Sequence, residues 1–252
     1  MIAVSPSLDR PTPDAVAAEL RAVCVDRVVE RHHPLGPLTT YRVGGAADLF
    51  IDVASERDLF AIADVVSRLE IPIAVIGRGS NLLVADSGYP GLVVHLGTAF
   101  DTTTELGTGL VRIGGAAALP VVARQLTAAG HTGFEWAVGV PGSLGGAVRM
   151  NAGGHGSDMA HAVRSVRVVD LRSGEAVEVD RAGLDFGYRS SSVQPHEVVV
   201  GADLELPPGD PERGQAMLRE IVAWRREHQP GGQNAGSCLL YTSDAADESS
   251  SV

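Results

Sequence analysis

The sequence predicts a mixed α+β (α/β) fold in two consecutive blocks that share one ligand site. Three observations lead there. Between Ala47 and Leu96, apolar runs of strand length alternate with a helical repeat, and a second such series runs from Leu110 to Leu206. Two glycine-rich stretches, Ile76–Val84 and Gly139–Gly156, fall one in each block. The longer, GVPGSLGGAVRMNAGGHG, holds seven glycines in eighteen residues, with Arg149 as its single charged side chain. Glycine at that density lets the backbone take positive φ and approach a ligand, and N–H groups freed this way can cup a pyrophosphate. Either loop alone reads equally well as a tight turn between strands. The pair favours one dinucleotide held from two sides.

The elements follow in order. Thr12-Pro13-Asp14 opens a short helix with Val16, Leu20 and Val23 on one face. Gly44 and Gly45 precede a strand over Ala47–Val53. Ser55 with Asp58 makes a capping signature for a helix carrying Leu59, Ile62, Val66 and Leu69. Pro72–Ile76 runs into the first glycine loop, and Gly91–Leu96 is another strand. In the second block Leu110–Ile113 reads as a strand. Pro120 then opens a helix over Val121–Ala129 that Gly130 closes. Val163–Leu171 and Ala176–Val179 flank Arg172-Ser173-Gly174-Glu175 as a hairpin, and Glu197–Leu206 is a further strand. Pro207-Pro208-Gly209-Asp210-Pro211 reads as a linker, followed by a helix from Glu212 to His228 whose apolar members are Met217, Ile221, Val222 and Trp224. The divisions expected are an extension with a helix (1–37), two subdomains (38–97 and 98–206), the start of a third (207–237) and a tail (238–252).

Bulk composition narrows the partners. A net charge of −11 argues against nucleic acid or an anionic membrane as the main partner. Cys24 and Cys238 match no zinc or redox spacing, and so low a cysteine count fits a reducing compartment. No signal peptide and no long apolar span is evident, so the expectation is a cytoplasmic protein without a metal site. The spacing of the loops excludes two familiar cradles. Gly77-Arg78-Gly79 lacks the third glycine of a Rossmann fingerprint, and no P-loop pattern occurs.

Five motifs carry a resemblance. TYRVGG (Thr40–Gly45), IGRGSNLLV, GVPGSLGGAVRMNAG, FGYRSS (Phe186–Ser191) and QNAGS (Gln233–Ser237) occur in the order and spacing of the UDP-N-acetylenolpyruvylglucosamine reductases, the flavoenzymes of peptidoglycan synthesis. The resemblance covers roughly Pro34 to Ser237. It implies a fold of the vanillyl-alcohol oxidase type, in which two α/β subdomains sandwich a non-covalent FAD and a third covers a nucleotide-sugar substrate. It also implies a reaction: NADPH reduces FAD, a hydride passes to C3 of the enolpyruvyl ether, and a proton is added at C2. Charge developing on C2 and the adjoining carboxylate calls for a cation and a proton donor.

The resemblance assigns Arg189 to the substrate carboxylate and Ser237 to the proton at C2. For FAD it implies Gly77, Arg78, Gly79, Ser80 and Asn81, together with Gly139, Val140, Pro141, Gly142, Ser143 and Gly145. Tyr41, Asn151, Ala152 and Gly153 are expected nearer the ring system. Arg149 is left without a role, Tyr188 is expected to pack, and His155 to make no covalent bond. Taken singly, Arg189 reads as a surface arginine and Ser237 as a turn residue.

After Ser237 the sequence departs from the family pattern. It ends in CLLYTSDAADESSSV, where the family continues for about a hundred residues that bring a glutamate assisting protonation; no position here matches that glutamate. The expectation is a non-native or disordered tail and poor turnover. Two alternatives are another FAD-dependent oxidase or dehydrogenase of the same fold class, and an inactive flavin-binding fragment. A third is a nucleotide-binding module of unrelated fold.

Overall fold

The computed structural model describes residues 11–107 and 109–229. Ser237 and the tail from Cys238 onward lie outside the described residues. Helix α1 (Pro13–Val23) starts where Thr12 caps it, its hydroxyl accepting from the Ala15 N–H at 3.3 Å. Val16, Ala17 and Leu20 are buried; Val23, expected on the same face, is 39% exposed. Strand β1 (Val29–Pro34) follows, then β2 (Ala46–Val53), α2 (Glu56–Leu69), β3 (Ile73–Ile76) and β4 (Tyr89–Leu96). The sheet order is β1-β2-β4-β3, with β1 antiparallel and the other three parallel. One face of this sheet, carrying Leu49, Ile51, Val53, Leu92 and Val94, packs on α1 and α2.

Helix α2 begins at a complete capping box. Ser55 Oγ accepts from the Asp58 N–H at 3.2 Å, and Asp58 Oδ2 accepts from the Ser55 N–H at 3.1 Å. Ser55→Ala is expected to cost about 1 kcal/mol of stability in a denaturant titration. A loss below about 0.3 kcal/mol would show the cap to be redundant with the carboxylate.

The second block contains β5 (Thr103–Gly107), β6 (Leu110–Gly114), α3 (Leu119–Ala128), α4 (Leu144–Arg149), the small strands β7 (Gly153–Gly154) and β8 (Ser157–Asp158), α5 (Met159–Ala162), β9 (Val163–Asp170), β10 (Ala176–Asp180), β11 (Glu197–Glu205) and α6 (Pro211–His228). Five of these strands form an antiparallel sheet in the order β10-β9-β11-β6-β5, and β7 and β8 pair separately. One face carries Val111, Ile113, Val166, Val168 and Leu204 into a core with α3, α4 and α6. The other face sends Val169, Leu171, Val198 and Val200 into the cluster under the first sheet. The two blocks thus share an apolar core as well as a cleft. Arg167 on β9 adds a bidentate bond to Glu56 at the start of α2 (2.8 and 2.8 Å), which raises the pKa of the guanidinium further and ties the blocks at their edge.

Besides the two-residue strands β7 and β8, two strands have no counterpart among the sequence expectations, β1 and β5. Both lie at sheet edges. In β1 only Val29 is buried, and all of β5 is exposed, so neither shows the alternation that reveals a half-buried strand. The Pro207–Pro211 segment is hydrogen-bonded to the turn after α3: the Thr132 N–H donates to Pro207 O and the Gly209 N–H to Gly130 O. Beyond it, α6 buries Gly214, Leu218 and Ile221 in the second core, whereas Met217 and Trp224 are exposed. Of the four apolar members expected, Ile221 and Val222 face that core and the other two do not.

Candidate functional site

A cleft of about 670 Å³ opens between the two sheets, within the size range of small-molecule sites. Both glycine stretches line it. Gly77, Arg78, Gly79, Ser80 and Asn81 leave the C-terminal end of β3, and Val140, Pro141, Gly142, Ser143 and Gly145 enter α4. The loops touch: Ser80 Oγ donates to Pro141 O at 3.0 Å. At Gly77 a Cβ would fall on Ser143 Oγ, so a larger residue there would displace the hydroxyl that caps α4.

The loop backbone is arranged for an anion. The N–H groups of Arg78, Gly79, Ser80, Asn81, Gly142 and Ser143 make no hydrogen bond among the described residues. Those of Leu144 and Gly145, by contrast, donate to Ala117 O and Gly115 O, each at 2.9 Å. The free donors therefore sit in the loops and not on the first turn of α4, and Gly145 serves close packing. Four guanidinium groups line the cleft, those of Arg27, Arg78, Arg149 and Arg189, against the carboxylates of Asp52, Asp101 and Glu197. Arg27 is paired with Asp58 at 3.7 Å, so in a chain of net charge −11 the lining is locally balanced and not acidic. Arg78, Arg149 and Arg189 form no ion pair or side-chain hydrogen bond among the described residues. Unpaired loop donors, free guanidinium groups and apolar walls from Ile76, Leu119, Met150 and Val199 suit a flavin dinucleotide.

Arg189 lines the same cleft. It is the second residue of a two-residue turn, in which Gly187 and Ser190 exchange backbone hydrogen bonds at 3.1 and 3.4 Å. Its φ of +56° is one that such a turn usually gives to glycine or asparagine. A side chain held in that region costs roughly 1–3 kcal/mol. Tyr188 beside it is 94% exposed and does not pack.

Several expected cofactor residues lie elsewhere. Gly139 is buried beneath α6, where a Cβ would stand 3.1 Å from Ile221 and 3.2 Å from Arg225 Cδ. Burial there lowers the pKa of Arg225. Tyr41 sits half-buried on a turn that bonds the first glycine loop through the Thr40 N–H and Gly79 O, and it does not line the cleft. Gly153 pairs with Asp158 in the β7–β8 ladder. Asn151 spends its side chain on protein partners, and of this group Ala152 alone reaches the cleft wall.

Other lining residues escaped the sequence reading. Arg149 stands four residues after Gly145 on α4, a helical spacing that puts both on the cleft side. His95 accompanies Asp52, with Nδ1 2.5 Å from its carboxylate, on neighbouring parallel strands in register. Only strand pairing brings those two together. Cys24 is buried, and burial pushes its thiol from 9.0 up to about 11, which leaves it protonated at neutral pH. No cluster of metal-ligating side chains and no helix long and apolar enough to cross a membrane occurs among the described residues.

Comparison with known proteins gives the site a context. Residues 47–180 match the family described as FAD binding domain. The chain is 42% identical over 212 residues to the UDP-N-acetylenolpyruvoylglucosamine reductase of Heliobacterium modesticaldum, covering 83% of this chain and 67% of that protein. The Caulobacter vibrioides protein of the same name is 40% identical, with 80% and 67% covered. The chain thus spans about two thirds of the length of these relatives. The structure of UDP-N-acetylenolpyruvylglucosamine reductase from Thermus caldophilus superposes with a TM-score of 0.74 at 31% identity, covering 89% of this chain and 80% of that one. Berberine bridge enzyme from Eschscholzia californica shares the fold alone, with a TM-score of 0.59 at 13% identity over 77% of this chain and 43% of its own.

Proposed function

Because this chain belongs to the UDP-N-acetylenolpyruvoylglucosamine reductase family, we propose that it performs that family's reaction, the NADPH-dependent, FAD-mediated reduction of UDP-N-acetylglucosamine enolpyruvate to UDP-N-acetylmuramate. The observation that carries this reading is the free guanidinium of Arg189 in the same cleft as the two unpaired glycine loops. When bound, FAD supplies a hydride relay between NADPH and the enolpyruvyl double bond. The chain's own residues do the rest. The N–H groups of Arg78–Asn81 and of Gly142–Ser143 hold the pyrophosphate, and the charges of Arg78 and Arg149 offset its own. The planar fork of Arg189 grips the substrate carboxylate and stabilises charge as it develops on C2 and that carboxylate. Ser237 is assigned the proton delivered to C2, on the match of QNAGS to the family motif. We assign the protein to the cytoplasm, on a composition of two cysteines that fits a reducing compartment.

An absorption spectrum of the purified chain tests the reading. A flavin band that NADPH bleaches anaerobically and the enolpyruvyl substrate then restores is the expected result. Bound flavin that NADPH leaves oxidised, or that the substrate leaves reduced, would overturn it.

A further inference from the structure

We infer that Asn151 is a positioning residue, holding the Tyr188–Arg189 turn over the cleft rather than binding the cofactor. The inference rests on the role proposed for Arg189. Asn151 follows Met150, the residue that closes α4, and takes φ +39°, a left-handed conformation that asparagine tolerates. Its side chain is nearly saturated by protein. Oδ1 accepts from the Ala160 N–H at 3.0 Å, and Nδ2 donates to Gly187 O at 3.1 Å and to Asp158 Oδ2 at 3.3 Å. The amide orientation follows from its neighbours, since a backbone N–H faces one end and two acceptors face the other.

Gly187 O belongs to the turn that carries Arg189. On the far side of that turn, Ser191 Oγ donates to Arg149 O at 2.9 Å. Arg189 is thus bracketed by two ties to the short segment 149–151, which itself continues from the cofactor-facing helix. Asp158 is fixed in turn by His161, whose Nδ1 lies 2.7 Å from its other carboxylate oxygen. The Arg189 side chain has no protein partner among the described residues, so its aim depends on the frame beneath it. Asn151 and Ser191 are the two residues whose side chains tie that turn to the segment following the cradle.

Two variants test this on the full chain. Asn151→Gly keeps the left-handed backbone and removes all three bonds. Asn151→Asp keeps the acceptor for Ala160 but sets a carboxylate against Gly187 O and Asp158. For both, amide hydrogen exchange at residues 187–191 is expected to quicken about tenfold, and substrate binding, read from perturbation of the flavin spectrum, to weaken by a similar factor. FAD affinity and the rate of reduction by NADPH are expected to stay within about twofold of wild type. Ser191→Ala, which cuts the second tie, is expected to move the same two readouts in the same direction. Loss of FAD affinity with unchanged exchange at the turn would make Asn151 a cofactor ligand. Unchanged exchange and unchanged substrate binding would remove any positioning role. Wild-type protein that binds FAD but shows no response to substrate would instead sink the reductase reading, leaving the exchange data to judge Asn151 alone.

Discussion

Arg189→Ala is expected to slow the oxidation of the reduced flavin by the enolpyruvyl substrate about 10²- to 10³-fold, the usual effect of removing one preorganised group that stabilises developing charge. Reduction by NADPH should proceed as in wild type, because the change removes only a group aimed at the substrate. Stopped-flow mixing of anaerobically reduced protein with substrate separates the two half-reactions. Arg189→Lys keeps the charge but not the planar fork, and should fall between the two. The backbone adds an internal control. Alanine keeps the strain of φ +56° at this position, whereas Arg189→Gly relieves it. The glycine variant should therefore be as slow as the alanine variant, yet unfold thermally no earlier than wild type. An alanine variant reoxidised at the wild-type rate would show that this guanidinium does not face the substrate carboxylate.

Gly79→Ala is expected to yield a protein that no longer retains FAD through purification. Gly79 has φ +60°, and a Cβ there would collide with the backbone carbonyl of Leu38, which no rotamer change can move aside. The left-handed conformation costs a non-glycine residue roughly 1–2 kcal/mol, and overpacking a tight site a further 1–3 kcal/mol. The loop can escape only by shifting, which disperses the N–H groups of Arg78–Asn81. Gly156→Ala in the longer stretch is the matched comparison. Its φ is +84°, but a Cβ there meets nothing within 4 Å. That variant should lose roughly 1–2 kcal/mol of stability and keep its flavin. Absorbance ratios at the flavin and protein bands, with thermal unfolding, read both effects. Equal flavin content in the two variants would mean that the first loop does not shape the cradle.

Much of the scaffold was legible because its signals are local. Thr12 and Ser55 with Asp58 announce α1 and α2, since a cap satisfies donors that lie a few residues ahead in the chain. Gly174, at φ +73°, marks the turn between β9 and β10. Helix α4 was less legible. Its Gly145 and Gly146 hide it from propensity, although Ser143 caps it and Leu144, Ala147 and Val148 make a buried helical face. In the site, the glycine loops were legible because left-handed backbone and close approach demand that residue type. Side-chain direction was not. Gly139 and Asn151 belong to the same run as Gly142 and Ser143, yet the one supports α6 and the other a turn some thirty-six residues on.

From the sequence alone came the α/β scaffold, the two loops built for an anion, and a family resemblance in the order of five motifs. Each depends on near neighbours in the chain. The tertiary structure alone decided where β1 and β5 lie, because edge strands carry exposed side chains and leave no periodic trace. It alone added Arg149 to the Arg78 and Arg189 that the resemblance implied, because the three are brought to one cleft by packing of elements far apart in sequence. And it alone showed that the Asn151 side chain bonds Gly187, Asp158 and Ala160, the observation behind the positioning role inferred for it. A side chain's partners are set by which distant backbone groups need a donor or an acceptor, and only the folded chain brings Gly187, Asp158 and Ala160 within its reach.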